Sequence, residues 1–409
     1  MPGQKHLIYV IKKFLVTSSC CLLAVQPVLA DQFDTLNYTM SGGINYDDNV
    51  FRLPSDFDPQ LYLGKDNKSD MTRFFSIGLD IEKKYSNQEV TINANATNVK
   101  YNNFPNLDYT SSSIKGVWNG QISSKFKGRL NAARTQTLSN PADTRIYTRN
   151  LSTVDSLSVN GDWGGGSKWH WLFGVSSGHS TNSINTTNNQ GSRNNSSELG
   201  VKYYETQSRT VALISRNVRG ANANQIANPA TLIDTGSTEK QLELQAGWDI
   251  TGKSVLTVTL MDLQHRGLNF PQRDYSATQG RIHYVLKASG KTSLALNWQR
   301  NLSSWWDAAS SYYVADRFSI SPTWQINPQI VMRASFNRGG NDYRGAVVPG
   351  AIARKDETHS ESIGIDWFPT KIVAVSTSIL HEKRISTPVN YSSFGFDNNT
   401  VSISAQANF

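Results

Sequence analysis

From residue 31 onward, apolar and polar residues alternate with a period of two, which is the signature of strands with one apolar face. Leu242, Leu244, Ala246, Trp248 and Ile250 share one face; Gln241, Glu243, Gln245, Gly247 and Asp249 share the other. Phe318, Ile320, Pro322, Trp324 and Ile326 alternate in the same way with polar neighbours, and so do Val401, Ile403, Ala405, Ala407 and Phe409. No segment keeps a helical period. The pattern predicts eighteen strands near 35–47, 71–85, 88–101, 108–122, 125–137, 146–163, 168–182, 194–206, 209–219, 239–250, 253–265, 276–288, 291–302, 313–326, 329–339, 357–368, 371–383 and 399–409.

The connections are as informative as the strands. Every second one is short and made of turn residues, such as Ser86-Asn87, Gln207-Ser208, Thr251-Gly252, Ser289-Gly290 and Asn327-Pro328. The intervening ones are mostly longer, above all 50–69, 183–193, 220–237, 340–356 and 384–398. A sheet threaded through a membrane has this parity, with tight periplasmic turns at one rim and long loops at the other. Trp163, Trp248, Trp324 and Trp367 stand on the apolar face close to short turns, as Tyr203 and Tyr284 do, where an aromatic girdle at one membrane interface belongs. The chain ends on Phe409 after alternating apolar residues, which looks like the terminal signal read by the barrel-assembly machinery of Gram-negative outer membranes.

These features predict an all-β, transmembrane antiparallel barrel of about eighteen strands, with sixteen or twenty the result of one miscounted hairpin. Lipid offers backbone groups no hydrogen-bond partner, so a membrane sheet must close on itself. Eighteen strands enclose a lumen wide enough for solvent. Lys127, Arg129, Glu243, Asp249, Arg317, Arg333, Asp366 and Glu382 then point inward with mixed sign, as part of a solvated wall.

Composition agrees. The 409 residues are 38% hydrophobic and 18% charged, with a mean hydropathy of −0.44, and past the N-terminus no apolar run approaches the roughly 20 residues of a spanning helix. Residues 1–30 read as a signal peptide: Lys5, Lys12 and Lys13, then a mostly apolar stretch, then Val28-Leu29-Ala30 before Asp31. Cleavage near Ala30 would leave 31–409 as the outer-membrane barrel, remove both cysteines (Cys20 and Cys21) and lower the net charge from +8 to +5. A dispersed excess of that size on an exported chain does not point to nucleic acid.

Three motifs fail on context. Gly247 to Ser254 spells a phosphate-binding G-x-x-x-x-G-K-S, but the β-branched alternation after it denies the required helix. Gly174-Val175-Ser176-Ser177-Gly178 spells a hydrolase elbow within a strand, with His170 and His179 poorly placed to serve it. Asp47, Asp48, Asp56 and Asp58 lack the order of a calcium loop, and the seven histidines show no metal spacing, so neither a metal nor a cofactor is expected.

Several stretches resemble a specific family. Tyr46-Asp47-Asp48-Asn49-Val50-Phe51-Arg52-Leu53, Gln272-Arg273-Asp274-Tyr275-Ser276, Ser310 to Arg317, and Gly345-Ala346-Val347-Val348-Pro349 are similar to segments of exosortase-associated exopolysaccharide-biosynthesis outer-membrane proteins of the EpsL type. The resemblance spans nearly the whole mature length in segment order, although each motif is short. It implies a barrel encoded with polysaccharide polymerisation and export machinery that helps a secreted exopolysaccharide cross or associate with the outer membrane, either alone or docked to periplasmic polysaccharide-export components, and it carries no catalytic residue.

Sugars are held by aromatic faces and by planar hydrogen-bonding groups. Arg273, Asp274, Tyr275, Trp305, Trp306, Tyr312, Tyr313, Asp316 and Arg317 gather at predicted outer loops and strand ends, and they are the expected glycan path at the extracellular mouth, with ordinary loop packing as the alternative. Three functions stay open: polysaccharide export, a general or substrate-selective diffusion porin, and a non-conducting surface barrel that binds glycan.

Overall fold

The computed structural model describes residues 36–184, 191–222 and 225–409; the basic start, Cys20, Cys21 and the cleavage point at Ala30 lie outside them. Eighteen antiparallel strands form one closed sheet: β1 (Leu36–Asp47), β2 (Asp70–Tyr85), β3 (Gln88–Tyr101), β4 (Tyr109–Gln121), β5 (Phe126–Leu138), β6 (Leu151–Trp163), β7 (Trp169–Asn182), β8 (Ser192–Thr206), β9 (Arg209–Asn222), β10 (Gly236–Thr251), β11 (Ser254–Gly267), β12 (Tyr275–Lys287), β13 (Thr292–Ser304), β14 (Tyr312–Asn327), β15 (Ile330–Arg344), β16 (Lys355–Trp367), β17 (Val373–Thr387) and β18 (Phe396–Asn408). Each strand pairs with its sequence neighbours, and β1 pairs with β18 to close the ring. At the seam, Tyr38 and Phe409 exchange both backbone hydrogen bonds, at 2.8 and 2.7 Å.

The four tryptophans expected to form an aromatic girdle project from the outer face. Trp163, Trp248, Trp324 and Trp367 are 50, 42, 50 and 48% exposed on the outer face near short turns. Each marks the foot of an outward apolar run, which ends at a charged residue eight positions above on β6, β10 and β14, at Asp155, Lys240 and Asp316, and six above on β16, at Glu361. Eight residues rise about 26 Å along a strand at ~3.3 Å each, or about 20 Å across a membrane at the ~40° tilt of such barrels. That is close to the height of the lipid-facing band, so the charged positions mark its outer edge.

The strands outrun their predicted ends on the long-loop side. β15 continues to Arg344, β17 to Thr387 and β9 to Asn222, where the alternation has already faded. Above the lipid an outward residue has no need to be apolar, while the backbone ladder persists. β6 differs in the other direction: it begins at Leu151 and not near 146, because Pro141–Thr144 forms a helical turn capped by the Asn140 side chain and ended by a left-handed Arg145, φ 55°.

Burial is inverted relative to a soluble protein. Ile77, Leu157, Leu213, Ile363 and Ile379 lie exposed on the outer wall, whereas the tightest apolar packing lies in the long loops. Phe51, Leu53, Phe104 and Leu107 form a small core, with Val50, Phe57, Leu63, Tyr101 and Tyr147 against it. The Phe51 and Phe104 rings meet edge to face at 4.9 Å.

Candidate functional site

The site has two parts, a polar lumen and a mouth narrowed by joined loops. Inward side chains follow from the alternation and from the bonds they make across strands. From β13 round to β3 they are mainly hydroxyls and amides: Asn297 donates to Ser319 at 3.2 Å, Ser321 to Ser335 at 3.4 Å, Ser402 to Asn45 at 2.6 Å, and both Asn95 and Thr97 to Ser76 at 2.8 Å. Ser360, Ser362, Ser378, Thr400 and Ser404 share this face.

Several of the inward charges are paired across strands. On β8–β10 the Arg216 guanidinium meets Glu198 at 2.8 Å and Glu243 at 3.1 Å, and it donates to Gln241 at 3.1 Å. Glu239 meets His265 at 3.0 Å, and Arg333 meets Asp366 at 2.6 Å, with Ser376 donating to the same carboxylate. A recess of about 870 Å³ near the short-turn end is lined by Lys84, Glu89, Lys127, Arg129, Asp162 and Lys202, the most charged part of the wall.

At the other end the loops are tied together. Loop 139–150, between β5 and β6, runs to β17 and β16, six and seven strands from β5 along the shorter arc. There the Asp143 carboxylate accepts from Arg384 at 2.7 Å and from Arg354 at 3.2 Å, while Arg384 also donates to the Ala142 carbonyl. Both guanidiniums are buried, Arg354 at 2% and Arg384 at 6% exposure. Arg354 is held from behind by a two-pronged bond to Asp356 at 2.7 Å and lies 3.9 Å from the centre of the Phe394 ring. Burial alone would lower the Arg354 pKa, but the hydrogen bonds to Asp356 together with the nearby Tyr343, Asp356 and Asp143 outweigh it and raise it. Arg145 lies over Phe57 and Phe394, joining three loops in one contact.

The expected glycan-path residues take more varied places. Arg273 is 3% exposed and its donors are spent on backbone carbonyls of Thr231, Leu232, Asp307 and Ser310, at 2.8 to 3.2 Å. It is a knot between three loops and offers no free N–H to a sugar. Burial lowers its pKa, with Asp307 opposing the shift. Asp274 accepts from the Gly267 N–H and turns the chain into β12. Tyr275 is sandwiched between His265 at 4.5 Å and Tyr312 at 4.2 Å, so both ring faces are covered. This stack stands beyond the last β12–β13 pair, Gly280 and Arg300, five residues along β12.

Trp305 packs edge-on to Tyr313 and Tyr343 and donates its indole N–H to Asp307 at 2.8 Å. Trp306 is half-buried. Asp316 and Arg317 part company: Asp316 faces outward and takes a two-pronged bond from Arg300 at 2.9 Å, whereas Arg317 faces the lumen and bonds Gly340 and Asn341. As adjacent residues of one strand they cannot line one path, and that part of the expected cluster is corrected.

Of the loop acids, Asp47 holds Arg52 at 2.9 Å, Asp48 accepts from Asn399 and Asp58 caps the Pro59–Leu63 turn. Ser176 of the elbow spelling points into the lumen and shares a hydrogen bond with Ser196, at 2.7 Å. The nucleotide-like spelling folds as the β10–β11 hairpin.

No protein-family model matches the chain, and no curated protein sequence matches it. Among solved structures it is similar in fold to the outer membrane protein OpdK from Pseudomonas aeruginosa, at 10% identity over 91% of this chain and 99% of that one, TM-score 0.48. It is also similar to the siderophore receptor PirA from the same organism, at 9% identity over 93% and 81%, TM-score 0.43. A ferric enterobactin receptor mutant from that organism gives 9% over 91% and 81%, TM-score 0.46. These are likenesses of fold alone. The chain is an outer-membrane-type β-barrel, on its own closed sheet, lipid-facing band and loop parity.

Proposed function

We propose that the barrel is a substrate-selective diffusion channel for hydroxyl-rich, largely uncharged solutes. The observation that carries this is the middle of the lumen wall from β13 round to β3, where hydroxyls and amides predominate and charges such as Arg317, the Arg333–Asp366 pair and, near the short-turn end, Lys84 and Glu89 stand apart from one another and not as the two opposed clusters that a charge-selective constriction needs. Such groups exchange hydrogen bonds with a passing polyol at little net cost, whereas an ion gains no fixed counter-charge. Liposomes carrying the purified barrel should swell in neutral di- and trisaccharides faster than in charged solutes of equal size. Absence of permeation for every solute, with the barrel folded, would leave a non-conducting barrel instead.

The second reading, favoured by the segments similar to EpsL-type proteins, is that the solute is a secreted exopolysaccharide on its way out. A clean deletion tests it, with extracellular and cell-retained glycan measured separately. Less secreted glycan with unchanged small-solute uptake would support export; normal secretion would leave the diffusion channel alone.

A further inference from the structure

The outer wall is not uniformly apolar at the height where the lipid band ends. On β5 to β8, Arg134 stands opposite Asp155, Asp155 opposite His179, and His179 opposite Arg193, a row crossing four strands. Arg219 on β9 stands opposite Asn195, diagonal to Arg193 and within long-side-chain reach of it. Asp155 lies eight residues above Trp163 of the girdle, so the row is level with the outer-leaflet headgroups. The single acid, Asp155, is engaged by Arg134 at 3.5 Å, and the His179 Nδ1 is buried with no hydrogen-bond partner.

Below this row the wall is hollowed. A groove of about 620 Å³ on the same face is lined by Ile92, Ile114, Gly116, Ala132 and Leu157 and reaches up to Arg134, His179 and Arg193. A Cβ added at Gly116 would meet nothing within 4 Å, so the floor is open. Apolar walls below and cations above, at the level of the headgroups, match an amphiphile with acyl chains and an anionic head.

We infer that this face binds a phosphorylated, multiply acylated glycolipid of the outer leaflet. Its acyl chains lie in the groove over Gly116 and Ala132, and its phosphates are taken by Arg193 and Arg219 with Arg134 and His179 beside them. Charge complementarity chooses this occupant over a second copy of the barrel, whose same face would bring like charges together.

The test is native mass spectrometry of the detergent-solubilised barrel with added lipid A, a bis-phosphorylated acylated glucosamine disaccharide. Wild type should retain the lipid. The double variant Arg193→Ala, Arg219→Ala should lose affinity by about tenfold or more, as removal of two charge-assisted contacts implies. Arg338→Ala with Lys383→Ala, outward on β15 and β17, should bind like wild type, and enzymatically dephosphorylated lipid A should bind the wild type weakly. Gel mobility with and without heating confirms that each variant is folded. Equal losses in the two double variants, phosphate-independent binding, no binding, or a lipid-free dimer cross-linked through this face would each overturn the assignment.

Discussion

Asp143 and Arg384 lie 241 positions apart in sequence, yet their side chains meet at 2.7 Å across the mouth of the barrel. The loop that carries Asp143 is thereby a strut. It leaves the wall at β5 and is bolted to β17, with Arg354 as a second bolt. The Asp143 side chain is about half exposed, so solvent screens it, and removing its charge costs about 1 kcal/mol of latch stability. Asp143→Ala should free the loop and raise single-channel conductance in planar bilayers, with the heat-resistant gel mobility of the barrel unchanged. Arg384→Ala should raise it too, and the double variant should add little to either. Conductance unmoved by all three would show that the strut does not limit passage.

The lipid-facing band makes a sharper demand. Ile363 lies four residues above Trp367 and two below the outward Glu361, within the apolar band, and is 50% exposed on the outer wall. Arginine there must hold a charge in hydrocarbon, at a cost of about 2–4 kcal/mol. The same residue at His359, at the headgroup level, should cost about 1 kcal/mol or less. Urea unfolding in lipid vesicles should separate Ile363→Arg from His359→Arg by that difference, and equal stabilities would misplace the band.

Loop order should depend on acid. Asp234 is buried between β9 and β10, which by itself would raise its pKa, but N–H donors from Asn269, Phe270 and Gly236, with the Asn269 amide, outweigh burial and lower it. A carboxylate whose folded pKa is depressed contributes stability above its unfolded value near pH 4, and that contribution is lost as pH falls through the lower folded value. Limited proteolysis of the loops around 225–235 and 268–274 should therefore stay slow through pH 5 and quicken below about pH 4. Asp234→Asn should cleave quickly already at pH 7.

These loop relationships also mark where reading the sequence stops. The barrel was legible because lipid imposes a local rule on every strand, one residue out and the next in, so Trp163, Trp248, Trp324 and Trp367 announce their place within ten residues of chain. Asp143, Arg354 and Arg384 obey no local rule; only closure of the ring brings them together, and in sequence each is one polar loop or strand-end residue among many. The run Arg273 to Tyr275 misled for a related reason. A loop arginine beside a tyrosine has the composition of a sugar site, and whether its donors are spent on carbonyls depends on loops 40 residues away. Asp316 and Arg317 were separable in advance, since adjacent strand residues face opposite sides.

That arginine supplies its own prediction. Arg273→Ala leaves carbonyls on two other loops without their charged donor, a loss of about 1.5–3 kcal/mol for such bonds, all of it on the mouth. Loops 225–235 and 305–311 should become protease-sensitive while the barrel unfolds at the same urea concentration. Arg273→Lys should rescue only in part, since one ammonium cannot reach the carbonyls that the planar guanidinium spans.

The seam separates stability from assembly. Phe409 gives and takes one backbone hydrogen bond with Tyr38, so deleting it removes two ladder bonds from a rim position. At about 0.5–1.5 kcal/mol each, the loss is small beside eighteen strands of pairing, and barrel refolded from urea into vesicles should keep nearly its full stability. If Phe409 is also the terminal signal read by the assembly machinery, the same deletion should sharply lower the amount of folded barrel in cells. Phe409→Ala, which keeps both backbone bonds, then decides between the two roles. Normal assembly with Ala but not with the deletion would make the seam bonds the cause, whereas failure of both variants in cells, with normal refolding in vitro, would make the aromatic ring the signal.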